Sequence, residues 1–189
     1  WLGMNKADAS NTRNVNIRKL RLILERTGDI AINYKGGYWS ISIGDDITCD
    51  YHEINKILQE VPDKATVDIA TLQRILKLAA GGTLTPTISA EWLDSFKDEY
   101  TKQVTTFMLR MLETSDVKGN NKLILQIADV LLLNDTLDEE AMRIKCQILF
   151  QMGQKGASKR CYDTFVAEHT RLLNEKPAIS YEDILSDLQ

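Results

Sequence analysis

Proline (3 residues), cysteine (3), histidine (2) and aromatic side chains (7%) are all scarce in this 189-residue chain. Each scarcity excludes something. Cys49, Cys146 and Cys161 are odd in number and lack a C-x-x-C spacing, so neither a disulfide framework nor a zinc knuckle is expected. This usage fits a reducing compartment, and a cytoplasmic location is expected. The longest apolar runs, such as Val130-Leu131-Leu132-Leu133, fall far short of the roughly 18 residues of a membrane span, so no membrane contact is expected. No basic-then-apolar leader opens the chain, which argues against a secretory signal. The first residue is Trp1 and the first ten residues show no clear element start, so the chain is expected to begin inside a longer protein.

Catalytic patterns are missing too. His52 and His169 fall on separate predicted helices, and there is no H-E-x-x-H, G-x-S-x-G, P-loop or G-x-G-x-x-G. Carboxylate pairs such as Glu139-Glu140 read as solvated helix faces. Cys146 and Cys161 sit at apolar helical positions and read as buried, inert thiols. No enzyme, cofactor or metal site is expected.

What is present is a core and a pattern. Apolar residues make up 43% of the chain, enough to bury a globular interior. Over residues 11–26, Ile17, Leu20 and Leu24 recur at the helical period, and Gly28 marks the stop. The period then changes to two. Ile30, Ile32 and Tyr34, and after Gly36-Gly37 Trp39, Ile41 and Ile43, alternate with smaller or polar residues and predict a hairpin.

From residue 50 onward the pattern is helical. Asp50 with Glu53 resembles a capping box, followed by Ile54, Ile57 and Leu58. Further helices are expected at 66–79, from a Ser89 cap to about Glu113, and at 120–133, 137–152, 156–174 and 180–188. Thr136 with Glu139, and Ser180 with Asp183, are start signals; Gly81-Gly82, Gly153 and Pro177 are breaks. At an offset of 40, Leu109, Leu112, Leu132, Leu133 and Asn134 are echoed by Leu149, Met152, Leu172, Leu173 and Asn174. That is the look of stacked helical hairpins, with a plain helical bundle as the alternative.

Charge is uneven. The formal net charge of −4 argues against a general nucleic-acid coat protein. Yet residues 1–45 carry 7 Lys+Arg against 4 Asp+Glu, while residues 46–189 carry 16 against 23. The helix over 11–26 holds Arg13, Arg18, Lys19, Arg21 and Arg26 against one acid, Glu25. At about 100° per residue Asn11, Asn14, Arg18 and Arg21 share one stripe, apart from Ile17, Leu20 and Leu24. Asn pairs with adenine edges, and Arg with guanine or phosphate, so such a stripe suits a major groove. A solvated basic face is the competing reading. A two-stranded ribbon with Lys35 at its tip, directly after the helix, favours a recognition helix with a wing.

These residues resemble known families. The stretch RNVNIRKLRLILE…GDIAINYKGGYWSISI is similar to the end of the winged-helix effector domain of two-component response regulators. Ile17, Leu20 and Arg21 match the recognition helix, and Gly37-Tyr38 the wing. The following CDYHEINKIL looks like the first helix after the wing in antibiotic-regulatory-protein-type activators. Downstream, Gly82, Leu84, Trp92, Asp135, Glu139, Gly153, Ala157, Tyr162, Leu173 and Pro177 match the bacterial transcriptional activator domain. The resemblance covers about residues 11–189. Two departures stand out. The family's sheet and two helices before the recognition helix are represented only by Trp1-Leu2-Gly3, and the family's Pro after Asp135 is Thr136, which is expected to cap instead.

The resemblance implies a mainly α fold. A truncated winged helix (1–48), made of a recognition helix and a β-hairpin wing, would precede a tetratricopeptide-like helical-hairpin array (49–189). It implies a DNA-binding transcriptional regulator. Asn11, Asn14 and Arg18 would face base edges, while Arg13, Arg21, Arg26 and Lys35 would contribute to the DNA-binding surface, Arg21, Arg26 and Lys35 at phosphates. Double-stranded DNA, RNA polymerase or another regulator, and a second copy in a homodimer are the implied partners. The alternative is a protein-interaction module without DNA binding, possible also as the cytoplasmic output of a larger sensor protein.

Overall fold

The computed structural model describes residue 3, residues 5–61 and residues 67–186. It is mainly helical, 65%, with eight helices and one antiparallel two-stranded hairpin among the described residues. No described helix is long and apolar enough to cross a membrane. The chain divides into two compact units, Trp1–Cys49 and Asp50–Gln189.

In the first unit α1 (Lys6–Leu24) leads into β1 (Ile30–Lys35) and β2 (Tyr38–Ile43). Contrary to the expectation of no early start, the helix begins within the first ten residues. The Asn5 side chain accepts from the Asp8 amide at 2.9 Å, closing the N-terminus as an N-cap does. Trp1 and Leu2, read as a remnant of a preceding helix, lie outside the described residues. The strands pair from Ile30↔Ile43 to Lys35↔Tyr38, with Gly36 and Gly37 as the whole turn. Both glycines have positive φ (61° and 87°), the geometry in which a two-residue turn matches the strand twist. Opposed residues share a face. Ile30, Ile32 and Tyr34 therefore lie with Ile43, Ile41 and Trp39, while Asn33 and Ser42 meet on the other face through a 3.0 Å hydrogen bond.

The second unit is helical throughout its described residues: α2 (Asp50–Glu60), α3 (Ile69–Ala79), α4 (Glu91–Leu112), α5 (Asn121–Asn134), α6 (Glu139–Gln151), α7 (Lys155–Leu173) and α8 (Tyr181–Ser186). Tyr100, Val104, Phe107, Met108 and Met111 repeat at helical spacing and form the buried side of α4. They meet Ile54 of α2, Leu72 and Ile75 of α3, and Leu123, Ile127 and Leu131 of α5 in one core. A second, smaller core joins Met142 and Cys146 of α6, Phe165 of α7 and Ile184 of α8. Leu132 packs against both.

Several helix starts differ from the sequence reading. Ala90, not Ser89, precedes α4, and it makes no side-chain cap. Asp138, not Thr136, caps α6, accepting from the Ala141 amide at 2.9 Å. Asp135 instead accepts from the Leu137 amide at 2.8 Å, fixing the turn before it. Carboxylates at both positions leave the weaker threonine hydroxyl no amide to claim. Asp50 is the first residue of α2 rather than its cap. The echo at 40 residues is one of helix pairs, not of burial: Leu149 is buried whereas Leu109 is exposed, and Leu133 and Leu173 are both exposed.

The Ser180–Asp183 start is reciprocal. The Ser180 hydroxyl accepts from the Asp183 amide (3.1 Å), and the Asp183 carboxylate accepts from the Ser180 hydroxyl (2.6 Å) and amide (3.0 Å). These bonds, the hydroxyl's first, hold the Asp183 carboxyl below its ordinary 3.8. A depressed folded value means the contribution is complete above 3.8 and is lost as pH falls through the lower value. The start of α8 should therefore fray on acidification through that window. NMR of the Ser180 and Asp183 amides will read it, and the same pH profile in Asp183→Asn would refute the assignment.

Candidate nucleic-acid interface

The candidate site lies wholly in the first unit. All seven residues singled out in the sequence, Asn11, Arg13, Asn14, Arg18, Arg21, Arg26 and Lys35, are exposed. They do not share one surface. Asn11, Asn14 and Arg18 fall within an arc of about 60° on α1. Exposed Val15 and Leu22 lie beside that arc, by the same helical spacing. Arg13 projects about 130° from the middle of that arc, on the side of Ile17 and Leu20, where its guanidinium donates to the Ser10 hydroxyl at 3.1 Å. Arg26 lies beyond the helix, in a turn held by bonds from Arg26 and Thr27 amides to the Ile23 and Leu24 carbonyls. Lys35 ends β1 at the hairpin tip, paired with Tyr38.

Arg21 does something else. Its Nη2 donates to the Ile32 carbonyl at 2.8 Å, and its guanidinium stands 5.9 Å from the centre of the Trp39 ring. Trp39 in turn packs against Tyr34, ring centres 4.8 Å apart. One side chain thus fastens α1 to both strands. A charge-assisted hydrogen bond and a cation over an aromatic face are each worth about 1 kcal/mol or more when partly buried. Arg21 lies at the edge of the stripe, about 20° past Asn14, and the strand within reach captures it.

The link back to the hairpin is short. Gly28 takes φ of +126°, and a Cβ there would stand 2.9 Å from Ile47 Cδ1. Gly44 closes the far end by donating to the Asp29 carbonyl at 2.7 Å, where a Cβ would lie 2.7 Å from that of Asp29. Both glycines let the chain pass tightly at the base of the ribbon.

The unit covers little of its own apolar surface. Ile32 is its one buried hydrophobic side chain among the described residues, and α1 buries none. Leu20, Ile23, Ile41 and Ile43 are exposed, and Ile17 and Leu24 are half-buried. Sequence reasoning passed over Tyr38 as a surface group: it is 79% exposed beside Lys35, and its position directly after Gly36-Gly37 was the available signal.

Elsewhere, no group of three or more His, Cys, Asp or Glu among the described residues is placed to hold a metal ion. Comparison with protein-family models, with curated proteins and with solved structures finds no match to this chain.

Proposed function

We propose that the chain serves a DNA-binding transcriptional regulator. The observation that carries this reading is the exposed Asn11, Asn14 and Arg18 on one side of a helix that Arg21 fastens to a basic-tipped ribbon. Helix α1 would lie in the major groove, with Asn11, Asn14 and Arg18 at base edges and Val15 or Leu22 against thymine methyls. The hairpin would lie along the backbone as the wing, Lys35 neutralising a phosphate and Arg26 another. Arg21 would position the wing rather than contact DNA. In the family that the sequence resembles, a sheet and two helices support the recognition helix; the exposed Leu20, Ile23, Ile41 and Ile43 are the surface such a scaffold would cover. The second unit we read as a tetratricopeptide-like array for contacts with polymerase, another regulator or a second copy. Such a regulator works in the cytoplasm.

Selection from a random duplex pool, followed by anisotropy at two salt concentrations, tests the reading. Arg18→Ala should weaken the selected site by about 1–3 kcal/mol and relax the preference at one base pair. Lys35→Ala should weaken all sequences alike and lower the salt slope by about 1. Equal binding by the wild type and Arg18→Ala would remove the recognition helix from the account.

A second reading rests on the second unit. Trp92 (72% exposed) and Phe96, one turn apart on α4, and Ile88 before it leave a hydrophobic surface open. A protein-interaction module without DNA binding would use it. Partner capture lost in Trp92→Ala, with no duplex affinity in the wild type, would favour this reading.

A further inference from the structure

Helices α5, α6 and α7 line an open pocket of about 570 Å³ in the second unit. The volume is that of a small organic ligand site. Leu132, Met142, Leu149 and Phe165 make most of its wall apolar. The sequence reading of Cys146 and Cys161 as both buried holds for Cys146 alone; Cys161 is half-buried and reaches the pocket.

The α7 side of the pocket is one helical stripe. Ala157, Arg160, Cys161, Thr164, Phe165 and Glu168 recur three and four residues apart. From Arg160 to Glu168 is about 12 Å along the axis, at 1.5 Å per residue. The hollow therefore extends along α7, with a charged side chain towards each end of the stripe.

The charges of the lining are unequally matched. Lys145 Nζ stands 2.6 Å from the Asp129 carboxylate. The Glu168 carboxylate accepts from Arg171 Nε at 3.0 Å and from its Nη2 at 2.6 Å. Arg160 differs: no carboxylate among the described residues pairs with its guanidinium. A Cβ added to Gly156 would lie 3.5 Å from Arg160 Nη1, which sets the guanidinium back over the first turn of α7. That turn holds no acidic side chain. Apolar walls with one unmatched cation at one end complement a ligand with one anionic head and an apolar tail. The planar guanidinium fork suits a carboxylate, which accepts two parallel hydrogen bonds from it. Glu168 disfavours the same head at the other end, which fixes the direction of the tail.

We propose that this pocket binds a linear medium-chain carboxylate, its head on Arg160 and its tail along α7 against Leu149, Met142, Phe165 and Leu132. An extended decanoate spans the distance from Arg160 to Glu168. Each methylene fully buried strengthens binding about fourfold, so the tail supplies the affinity and Arg160 the choice of head group. This inference is independent of the DNA-binding reading.

The test uses the full chain, titrated with decanoate, decanol or decyltrimethylammonium below the concentrations at which they form micelles. Calorimetry reads the affinity, and alkylation of Cys161 reads the place. Cys49, half-buried in the other unit, is the internal reference. Decanoate should bind one per chain and slow the alkylation of Cys161 but not of Cys49. Decanol should bind about tenfold more weakly, the worth of a charge-assisted hydrogen bond. Arg160→Gln, an exposed substitution, should bring decanoate down to the level of decanol and leave decanol unchanged. Thr164→Trp, also exposed, should fill the pocket and abolish the binding of both. Absence of saturable decanoate binding, or undiminished affinity in Arg160→Gln or Thr164→Trp, would overturn the proposal. So would Cys161 alkylation that saturating decanoate leaves as fast as before. Decanol or decyltrimethylammonium binding as tightly as decanoate would mean adsorption without a carboxylate site, and would overturn it too.

Discussion

Ile127→Ala is expected to cost the second unit about 2–5 kcal/mol, the range for removing a fully buried branched side chain from a packed core. Ile127 has no exposed surface and sits on α5, which packs against α3, α4 and α6. Its loss removes the transfer energy of the deleted carbons and leaves a cavity in the larger core. A stability of about 5–15 kcal/mol is usual for a domain, so this variant could sit near the threshold of folding. Urea unfolding followed by helical circular dichroism should show a lower midpoint with an unchanged slope. Ile41→Ala, at a hairpin residue 63% exposed, is the control and should cost under about 0.5 kcal/mol. Comparable losses for the two would mean that α5 is not central to the core.

The second large effect is expected from Ser158→Val. Ser158 is the one fully buried polar side chain among the described core residues. Its hydroxyl donates to the Cys146 carbonyl and accepts from the Tyr181 hydroxyl at 2.9 Å, so one oxygen ties α7 to α6 and α8. Valine deprives Tyr181 of that partner and puts a second methyl where the helices approach closely. An unmet buried hydroxyl costs about 1–3 kcal/mol, and overpacking adds about 1–3 more. Ser158→Ala should lose only the first part. The difference between the two variants in urea unfolding isolates the crowding, and identical losses would place the helices further apart than the 2.7 Å bond implies.

The elements that were legible in the sequence are those whose signal is local. Tyr100, Val104, Phe107 and Met111 announce α4 by spacing alone, and Gly36-Gly37 between alternating runs announces the hairpin. Ser180 and Asp183 name their own cap because both partners lie within one turn. The start of α1 was missed because residues 6–16 carry almost no apolar period; only Asn5 and Asp8 mark it. Thr136 was misread for a different reason: several polar residues compete for the same amides, and only the chain's path decides that Asp138 wins. Ser89 was misread because α4 starts one residue later, after Ala90, with no side-chain cap.

The candidate site was legible as composition and not as arrangement. A helical wheel places Asn11, Asn14 and Arg18 together, and the helix keeps them so. It cannot foresee that Arg21 turns onto the Ile32 carbonyl and Trp39, because that depends on where the hairpin returns. Cys146 and Cys161 likewise looked alike in sequence. Their difference lies in the depth of one and the pocket beside the other, both made by three helices at once.

The order of packing in the second unit has a kinetic consequence. Helix α2 meets α3 and α4, α3 meets α5, and then α4, α5 and α6 each meet the next, with α8 returning to α6 and, through Tyr181, to α7. Every docking step joins segments close along the chain, so each ring closed is small and its loss of chain entropy modest. Such low contact order belongs with folding in about microseconds to milliseconds. A helix pair can therefore find its partner soon after leaving the ribosome, before the rest of the chain exists.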